Sequence, residues 1–292
     1  MPVEPTVLDS PSSSAPSMSS TTGNCYTTVA ALKTKLNYSG STHDAELLDL
    51  LRAVSRDVDG VAGRHFYVES GTRYFDACRT DRAMIDDCLG VTSLTADSEL
   101  DGTFDGETWE EGADFEMGPY NHWPKTRIDV LPYGDYTFQR SSRYLKVVGT
   151  WGYGDGFSAS PWAALDLTGT VASTTGTALT LAGGGEVAAG QTLLVGDEQV
   201  FVTAVSGSTA TVSRGMNGTT AAIHDGDTVA LAQYPADVVK TTLWFALESW
   251  RAAMAAGYSA ERIGDWSYTL ADDEKLCALK MRQLSRVTRT AI

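Results

Sequence analysis

The chain has 292 residues, of which 42% are hydrophobic and 9% aromatic, a composition typical of a globular protein with one or two domains. Its formal net charge of −15 argues against binding to nucleic acid or to anionic membranes, because such a surface repels both. The sequence has no apolar run of the ~18 residues that a bilayer-spanning helix needs, and no signal-peptide pattern, so we expect synthesis in the cytoplasm and no membrane partner.

The first part of the chain predicts an arm followed by two helices. Residues 1–24 are rich in Pro, Ser and Thr with almost no large apolar residue, which predicts a disordered arm. Val and Leu at helical spacing predict one helix over 27–38 and a second that begins near Asp44. The expected cap and stop residues of the second helix are Ser41, Asp44, Gly60 and Gly63.

From Arg64 the hydrophobic period changes to two, which is typical of strands. Two alternating runs flank Glu69-Ser70-Gly71 and predict a β-hairpin there. Residues 97–116 contain nine acidic residues and no Lys or Arg, and we interpret them as a solvated loop because they lack the spacing of a calcium-binding loop. Further strand-like pieces are 88–95, 127–131 and 143–151.

Residues 166–232 form a compositionally distinct block of short alternating runs rich in Gly, Thr, Ala and Val. This pattern predicts a small all-β barrel or sandwich, inserted into a host domain made of residues 25–165 and 233–274. Because the two ends of an insert lie close together, we expect that this block can be removed without unfolding the host domain. The predicted strands are 177–182, 191–195, 198–205, 209–214 and 228–231.

The stretch Pro235–Gly257 predicts a long helix. Its apolar residues, from Val238 to Met254, recur at steps of three and four. The fold class predicted by all these patterns is α+β, a small helical bundle with β-hairpin elements plus the inserted all-β domain. Large apolar side chains on and after the long helix are expected to be core or inter-subunit anchors, and these are Trp244, Trp250, Ile263 and Trp266.

The sequence offers no catalytic constellation. Its four histidines lie far apart without partners at metal-ligand spacing, and its four cysteines are scattered, which favours free buried thiols over a disulfide or a zinc site. The glycine-rich stretch 152–156 lacks the strand-then-helix context of a phosphate-binding loop and is interpreted as a plain loop. We therefore predict a protein that is not an enzyme and has no metal and no cofactor.

The C-terminal segment 275–292 has an unusual charge pattern, with five basic residues and no acid in an otherwise acidic chain. Cations that complement a helix dipole would explain two or three of them. All five favour a segment that docks onto an acidic partner surface. The residues assigned to docking are Lys275, Lys280, Arg282, Leu284, Arg286, Val287 and Arg289.

Taken in order over about 200 residues, several segments resemble the head–tail connector (head-completion adaptor) proteins of tailed bacteriophages. The resemblance implies a dodecameric adaptor ring in the virion neck, with a portal protein and a stopper or tail-completion protein as partners and viral DNA passing through the lumen without sequence-specific binding. It also implies that 275–292 docks onto the portal. The matching segments are 26–29, 44–51, 63–67, 72–76, 148–154, 235–238 and 263–267.

A second function remains open at this point, a carbohydrate-binding or carbohydrate-active virion protein. It would use the β insert, neighbouring tryptophans such as Trp109, Trp123 and Trp151, and a pair of carboxylates. The candidate acids are Asp101, Asp105, Glu107 and Glu110.

Overall fold

The computed structural model describes residues 23–254, 260–263, 266–269, 284 and 287–288, so most of the predicted arm, 1–24, lies outside the described residues. The fold is α+β, as predicted, and combines helices, an antiparallel sheet and a closed β-barrel. Within these ranges, none of the helices has the length and apolar character required to cross a membrane.

The first two helices follow the predicted apolar spacing. Helix α1 spans Val29–Leu36 and begins where the hydroxyl of Thr28 accepts a hydrogen bond from the backbone N of Ala31 at 3.1 Å. Helix α2 spans Asp44–Ala62 and ends at Gly63, whose φ of 65° lies in the left-handed region that favours glycine. The two helices contact each other through their buried Leu and Val side chains.

The predicted cap at Ser41 is wrong. Helix α2 begins after His43, which makes no side-chain capping hydrogen bond. Asp44 instead forms an ion pair with Lys33 of α1 at 2.7 Å, because the two helices lie side by side at this point. Its charge still complements the positive end of the α2 dipole. Gly60, predicted as a stop, lies inside α2.

Helix α3 spans Ala236–Met254 and packs on both α1 and α2. Its first turn includes a hydrogen bond from the backbone N of Val238 to the carbonyl O of Pro235 at 3.0 Å. Ala246 is buried in the helical core as the predicted stripe requires. Met254 departs from that stripe, since its side chain is 60% exposed at the end of the helix.

Five antiparallel strands form a sheet in the order β1-β5-β2-β4-β3. Strand β2 is long and irregular, and its first part pairs with β4 while its second part pairs with β5. The sheet has its own hydrophobic core, which includes Trp109, Leu145 and Trp151. The strands are β1 Glu69–Ala77, β2 Arg82–Ala96, β3 Phe115–Gly118, β4 Lys125–Val130 and β5 Ser141–Trp151.

The predicted hairpin around Gly71 is wrong. Strand β1 runs without interruption through Gly71 and pairs with β5, far along the chain. The alternating residues before it, Phe66 and Tyr67, are buried in a cluster with Val58 and Ala62 of α2. Burial of two large aromatic side chains against a helix outweighs the local turn preference, since fully burying one such side chain is worth about 1.5–3 kcal/mol.

Strands β6 to β11 close a six-stranded barrel in the order β10-β7-β6-β11-β8-β9. It begins at Trp162 rather than at 166. Its interior holds aliphatic side chains, and Gly169 gives them room, because a Cβ there would lie 2.9 Å from Cδ1 of Leu179. The strands are β6 Trp162–Val171, β7 Ala178–Gly183, β8 Thr192–Val195, β9 Glu198–Ser206, β10 Thr209–Ser213 and β11 His224–Ala232.

The barrel shares a core with the helices. Its two ends meet, since the backbone N of Gln233 donates to the carbonyl O of Pro161 at 2.8 Å. Phe201 and Met216, however, belong to the same buried cluster as Leu32 and other side chains of the helices. The structure therefore argues against the expectation that the block can be removed without unfolding the host domain.

Beyond α3 the described residues form a short hairpin. Strands β12 (Ala260–Ile263) and β13 (Trp266–Thr269) pair antiparallel, with Ile263 opposite Trp266. The predicted stop of the long helix, Gly257, lies outside the described residues.

Candidate functional site: the aromatic junction and its joints

Residues that are distant in the sequence meet in one buried aromatic cluster. The ring of Tyr26 contacts the ring of Phe66 at 5.5 Å and the ring of Tyr234 at 4.8 Å between centroids, both edge-on. The ring of Phe66 also contacts that of Tyr153 at 5.5 Å. We call this cluster the junction, and its members are Tyr26, Phe66, Tyr67, Tyr153, Tyr234 and Val238.

The hydroxyl of Tyr26 makes three hydrogen bonds inside the junction. It donates to Oδ1 of Asp59 at 2.5 Å, and it accepts from the backbone N of Phe66 at 3.0 Å and from Nη2 of Arg56 at 3.2 Å. Arg56 also pairs with Asp59 at 3.1 Å. The hydroxyl of Tyr26 therefore connects the segment before α1 to α2 and to the segment that follows α2. The sequence analysis did not predict this network. The pattern that could have indicated it is the pair of charged residues Arg56 and Asp59 near the apolar face of α2.

Burial governs the acid–base behaviour of the junction. It raises the pKa of Tyr26 well above the ordinary value and that of Tyr67 to about 12, so both remain neutral hydrogen-bonding groups near pH 7. Burial also raises the pKa of Asp59 from 3.8 to about 6, against the opposing effects of Arg56 and the Tyr26 hydroxyl. Asp59, which is hydrogen-bonded to Tyr26 of the junction, thus titrates just below neutral pH.

The glycine-rich stretch 152–156 fastens the sheet to the junction. Gly152 has a φ of 126°, and a Cβ there would lie 2.1 Å from the carbonyl O of Tyr67, so only glycine fits. The next residue, Tyr153, donates its backbone N–H to the carbonyl O of His65 at 3.1 Å, and the guanidinium of Arg64 lies 4.7 Å from the centre of its ring. The stretch is a loop, as predicted, and its role here is close backbone packing.

A buried amide network joins the barrel to the start of the chain. Asn24 donates from Nδ2 to Oδ1 of Asn217 at 2.7 Å, and Asn217 donates back to Asn24 at 3.1 Å and to Oε1 of Gln199 at 2.7 Å. The hydroxyl of Thr192 donates to Oδ1 of Asn24 at 2.8 Å. All four side chains are buried. A fully satisfied buried network of this kind fixes a single relative position of the parts it joins.

A buried carboxylate at the start of β9, that of Glu198, is saturated with donors. Glu198 accepts from Nε and Nη2 of Arg214 at 2.8 and 2.7 Å and from the backbone N of Gly215 and Ala222 at 2.7 and 2.9 Å. Burial alone would raise the pKa of Glu198, but these hydrogen bonds outweigh it and hold the pKa at about 2. The side chain therefore acts as a clamp that holds the loop between β10 and β11.

His224 extends this clamp. Its Nε2 lies 2.9 Å from Oε2 of Glu198 and its Nδ1 lies 2.7 Å from Oδ2 of Asp227. The ring is 3% exposed, in keeping with the structural interpretation of the histidines. In the described part of the chain, no group of three or more side chains is arranged to bind a metal ion.

The predicted docking residues fall into two groups. Leu284 and Val287 are buried against the junction, in the cluster that contains Phe66 and Val238. These two side chains therefore face the chain's own core. The basic residues assigned to docking lie outside the described residues: Lys275, Lys280, Arg282, Arg286 and Arg289.

The predicted anchors also divide. Trp250 is partly buried against the helical core, with its ring 5.6 Å from that of His43. Trp244 is half-buried, and its ring lies 5.1 Å from that of Phe245. Ile263 and Trp266 are partners in the backbone register of the β12–β13 pair, and their side chains lie outside the described part of the structure.

The tryptophans named for a carbohydrate site are engaged elsewhere. Trp109 is buried and stacks on Tyr136 at 4.7 Å and on Phe138 at 5.3 Å, and Trp151 is also fully buried. The ring of Trp123 lies 4.2 Å from Nζ of Lys125. Trp109 and Trp151 are thus core residues rather than an exposed platform for a sugar ring.

The residues named for that site make contacts within the acidic loop and with Tyr136. The hydroxyl of Thr103 lies 2.7 Å from Oδ1 of Asp101 and 3.2 Å from Oδ1 of Asp105. Glu107 accepts from the hydroxyl of Tyr136 at 2.6 Å, and the backbone N of Glu110 donates to Asp114 at 2.8 Å. These contacts organise the acidic loop itself.

The thiols were predicted to be free and buried. Cys25 and Cys88 are free and buried, and burial raises the pKa of each to about 12. Cys78 is free but exposed, because it lies in the turn between β1 and β2. Cys277 lies outside the described residues.

No protein family profile matches the chain, and no curated protein matches it. Among solved structures, the chain is similar to one in the neck of an empty GTA particle computed with C6 symmetry, at 20% sequence identity and a TM-score of 0.30. The similarity covers 46% of this chain and 68% of that chain.

Proposed function

We propose that this chain is a non-enzymatic structural protein of a virion neck, which forms an adaptor ring between the portal and the stopper or tail. The observation that carries the proposal is the junction. Segments 26–29, 63–67, 148–154 and 235–238, which resemble head–tail connector proteins, each supply a side chain to this one buried cluster. That these segments meet in one buried core supports the proposal.

The way the parts are joined supports a structural role. The barrel is attached to the rest by the Asn24–Asn217 network and by the shared core at Phe201, while the sheet is attached through Gly152. Such joints favour one rigid shape over hinge motion. A ring component that must keep a conduit open between two larger assemblies needs that rigidity.

The charge distribution supports docking through the C-terminal segment. Leu284 and Val287 are buried against the junction, while the basic residues of 275–292 contrast with a net charge of −15 for the chain. We propose that these basic residues contact an acidic surface of the portal, where opposite charges favour orientation and fast association. The partner on the opposite side of the ring would be the stopper or tail-completion protein.

The overall acidity suits a ring through which DNA passes. In a dodecamer each copy contributes a net charge of −15, and acids that face the lumen repel DNA over roughly 8–10 Å at physiological salt. DNA would then move through without sequence-specific binding.

The docking proposal is tested by mixing the purified chain with its portal and imaging the product by electron microscopy. We expect rings on the portal, and we expect none when Lys275, Lys280, Arg282, Arg286 and Arg289 are all changed to Glu. The matched control changes five exposed basic residues elsewhere to Glu and should still dock: Lys35, Arg140, Arg143, Lys240 and Arg251. Docking by the first variant, or its loss in the control alone, would contradict the proposal.

A further inference from the structure

The side chain of Phe157 is 84% exposed, a larger fraction than for any other large apolar side chain in the described part of the chain. It lies in the loop between β5 and β6, which connects the sheet to the barrel. One exposed apolar side chain is not unusual by itself. Two further features distinguish Phe157, namely the turn that holds it and a cavity elsewhere on the chain that can receive it.

Hydrogen bonds fix the turn that carries Phe157. Oδ1 of Asp155 accepts from the backbone N of Phe157 at 2.8 Å and of Ser158 at 2.9 Å, and Oδ2 accepts from the hydroxyl of Ser158 at 2.9 Å. The backbone N of Gly156 donates to the carbonyl O of Tyr153 at 3.2 Å, and Tyr153 belongs to the junction. An aromatic ring held in this way loses little conformational entropy when a partner covers it.

A cavity of about 490 Å³ lies where β1 ends and β2 begins. Tyr74, Phe75 and Met84 form its apolar walls, and two of these side chains are unusually exposed, Tyr74 at 43% and Met84 at 42%. One aromatic side chain fits a cavity of this size. It would remove these walls from water, which is favourable in proportion to the apolar area covered.

The charged residues of the cavity are already engaged. Arg79 forms an ion pair with Asp81, and Arg82 forms one with Asp129. Asp76, which also lines the cavity, accepts a hydrogen bond from a nearby backbone N–H at 2.7 Å. The cavity therefore offers apolar walls rather than an excess of positive charge, and this favours an apolar occupant over an acidic one.

Phe157 is far from the cavity of its own chain. The loop that carries it begins after Trp151, which pairs with Glu69 at the start of β1. The cavity lies at the other end of β1, where Phe75 is six positions further along the strand. Six positions of a strand span about 20 Å. The turn and the cavity thus lie at opposite ends of the β1–β5 pair, and an occupant like Phe157 has to come from another copy.

We propose that Phe157 of one copy of this chain inserts into the cavity of a neighbouring copy, between Tyr74 and Met84. This inference rests on the proposed ring, in which each copy contacts its neighbours through two different surfaces. The turn and the cavity are two such surfaces on one chain. Each copy supplies one phenylalanine and receives one, all round the ring.

The contact is weak when it stands alone. A single side chain covers much less than the roughly 800 Å² per partner that a stable complex buries. Docking on the portal brings the copies side by side and raises their local concentration, so that a weak contact forms. The contact then sets the order and spacing of neighbouring copies.

A cross-link on the complete chain tests the contact. Cys78 is exposed and lines the cavity, and Ala159 is exposed two residues after Phe157. In portal-bound rings, Ala159→Cys treated with a short bismaleimide should be linked to Cys78 of a second chain. Mixing isotope-labelled with unlabelled chains identifies such a link by mass spectrometry. All chains carry Cys277→Ser, and the other two thiols are buried.

Three variants control this cross-link. Cys78→Ser should abolish it, and Phe157→Asp should reduce it ~10-fold or more, because a charged side chain is costly to place in an apolar cavity. Thr174→Cys, at an exposed turn of the barrel, takes the place of Ala159→Cys and should give no link to Cys78. A link within one chain, a link to the portal, or no link from Ala159→Cys to Cys78 would overturn the proposal.

Assembly of truncated and filled variants tests the same contact. Phe157→Ala should raise the chain concentration that half-fills the portal rings ~10-fold, and Met84→Trp, which fills the cavity, should act in the same direction. Tyr133→Ala, at an aromatic residue that is 72% exposed in another loop, is the matched control and should leave this concentration unchanged. Thermal unfolding checks that each variant is folded. Assembly of Phe157→Ala at the wild-type concentration would overturn the proposal.

These results separate the contact from the proposed function. If rings form on the portal without the link from Ala159→Cys to Cys78, the contact is wrong and the ring proposal stands. If no rings form on the portal, the proposed function is wrong, and cross-linking of the concentrated chain alone still decides the contact. A link between two chains then supports the inference, and its absence overturns it.

Discussion

At the scale of single residues, two buried carboxylates show how surroundings set opposite pKa directions. For Asp59 burial prevails over the neighbouring Arg56, and the pKa rises to about 6. For Glu198 the donors of Arg214, Gly215 and Ala222 prevail over burial, and the pKa falls to about 2. The first group costs stability when it is charged, whereas the second adds stability when it is charged.

Asp59→Asn should change how stability depends on pH. Because the folded chain raises the pKa of Asp59 above 3.8, its contribution is fully present below that value and is lost as the pH rises through about 6. Between pH 4 and pH 7 the free energy of unfolding of the wild type, relative to the variant, should fall by about 2 kcal/mol. Denaturant unfolding at the two pH values measures this difference. Asp57→Asn, at an exposed residue, is the control and should show no such change with pH. If the wild type and Asp59→Asn differ by the same free energy of unfolding at both pH values, the argument is refuted.

Glu198→Gln should destabilise the chain in the opposite pH sense. Removing one partner of a buried charge network costs about 3 kcal/mol, so we expect that loss at pH 7. The folded pKa lies below the ordinary 4.5, so the stabilisation is present above 4.5 and disappears as the pH falls towards about 2. The difference in the free energy of unfolding between the wild type and Glu198→Gln should therefore be smaller at pH 3 than at pH 7. Urea unfolding at the two pH values measures this difference. Glu186→Gln, at an exposed residue of the barrel, is the control and should have the same free energy of unfolding as the wild type at both pH values.

At the scale of elements, local periodicity predicted most helices and barrel strands, because their apolar faces recur at 3.6 or two residues. It failed where contacts with distant parts of the chain determine the local structure. Phe66 and Tyr67 alternate like strand residues but are buried with α2, and Gly71 looks like a turn but lies within β1. Strand β3 was missed because Phe115–Gly118 is too short to show a period.

Gly152→Ala should be strongly destabilising, because the new methyl group would lie 2.1 Å from the carbonyl O of Tyr67 and φ is 126°. We expect a loss of at least about 2 kcal/mol in the free energy of unfolding. Gly60→Ala is the matched control. It lies inside α2 with open space around it and should gain about 0.5–1 kcal/mol. Thermal unfolding of both variants checks the pair, and equal stabilities would show that the loop tolerates a Cβ.

At the scale of the whole molecule, the junction could not be predicted from local pattern. Tyr26, Phe66, Tyr153 and Val238 meet through contacts across more than 200 residues, and no periodicity encodes them. The resemblance rests on segments that include these four residues, but it does not indicate that they touch. The barrel clamp at Glu198 was likewise invisible, since its donors lie on later strands and loops.

Removing the barrel should unfold the helices. Deletion of 162–232 with a short linker takes Phe201 and Met216 out of the helical core and leaves Asn24 without its amide partner. Losing one large buried side chain already costs about 3–5 kcal/mol. We expect loss of helical circular dichroism, whereas a truly independent insert would leave that signal intact. Phe201→Ala should lower the midpoints of helical and barrel unfolding together.

The shared core limits where the barrel can accept foreign sequence. The turn between β9 and β10 lies at an open tip, where Gly207 has a φ of 59° and a Cβ on it would meet no atom within 4 Å. An epitope inserted between Ser206 and Gly207 would leave Phe201 and Asn217 undisturbed. Such a graft would serve as a fiducial, and an antibody fragment bound to it would reveal in particle images which way the barrel points.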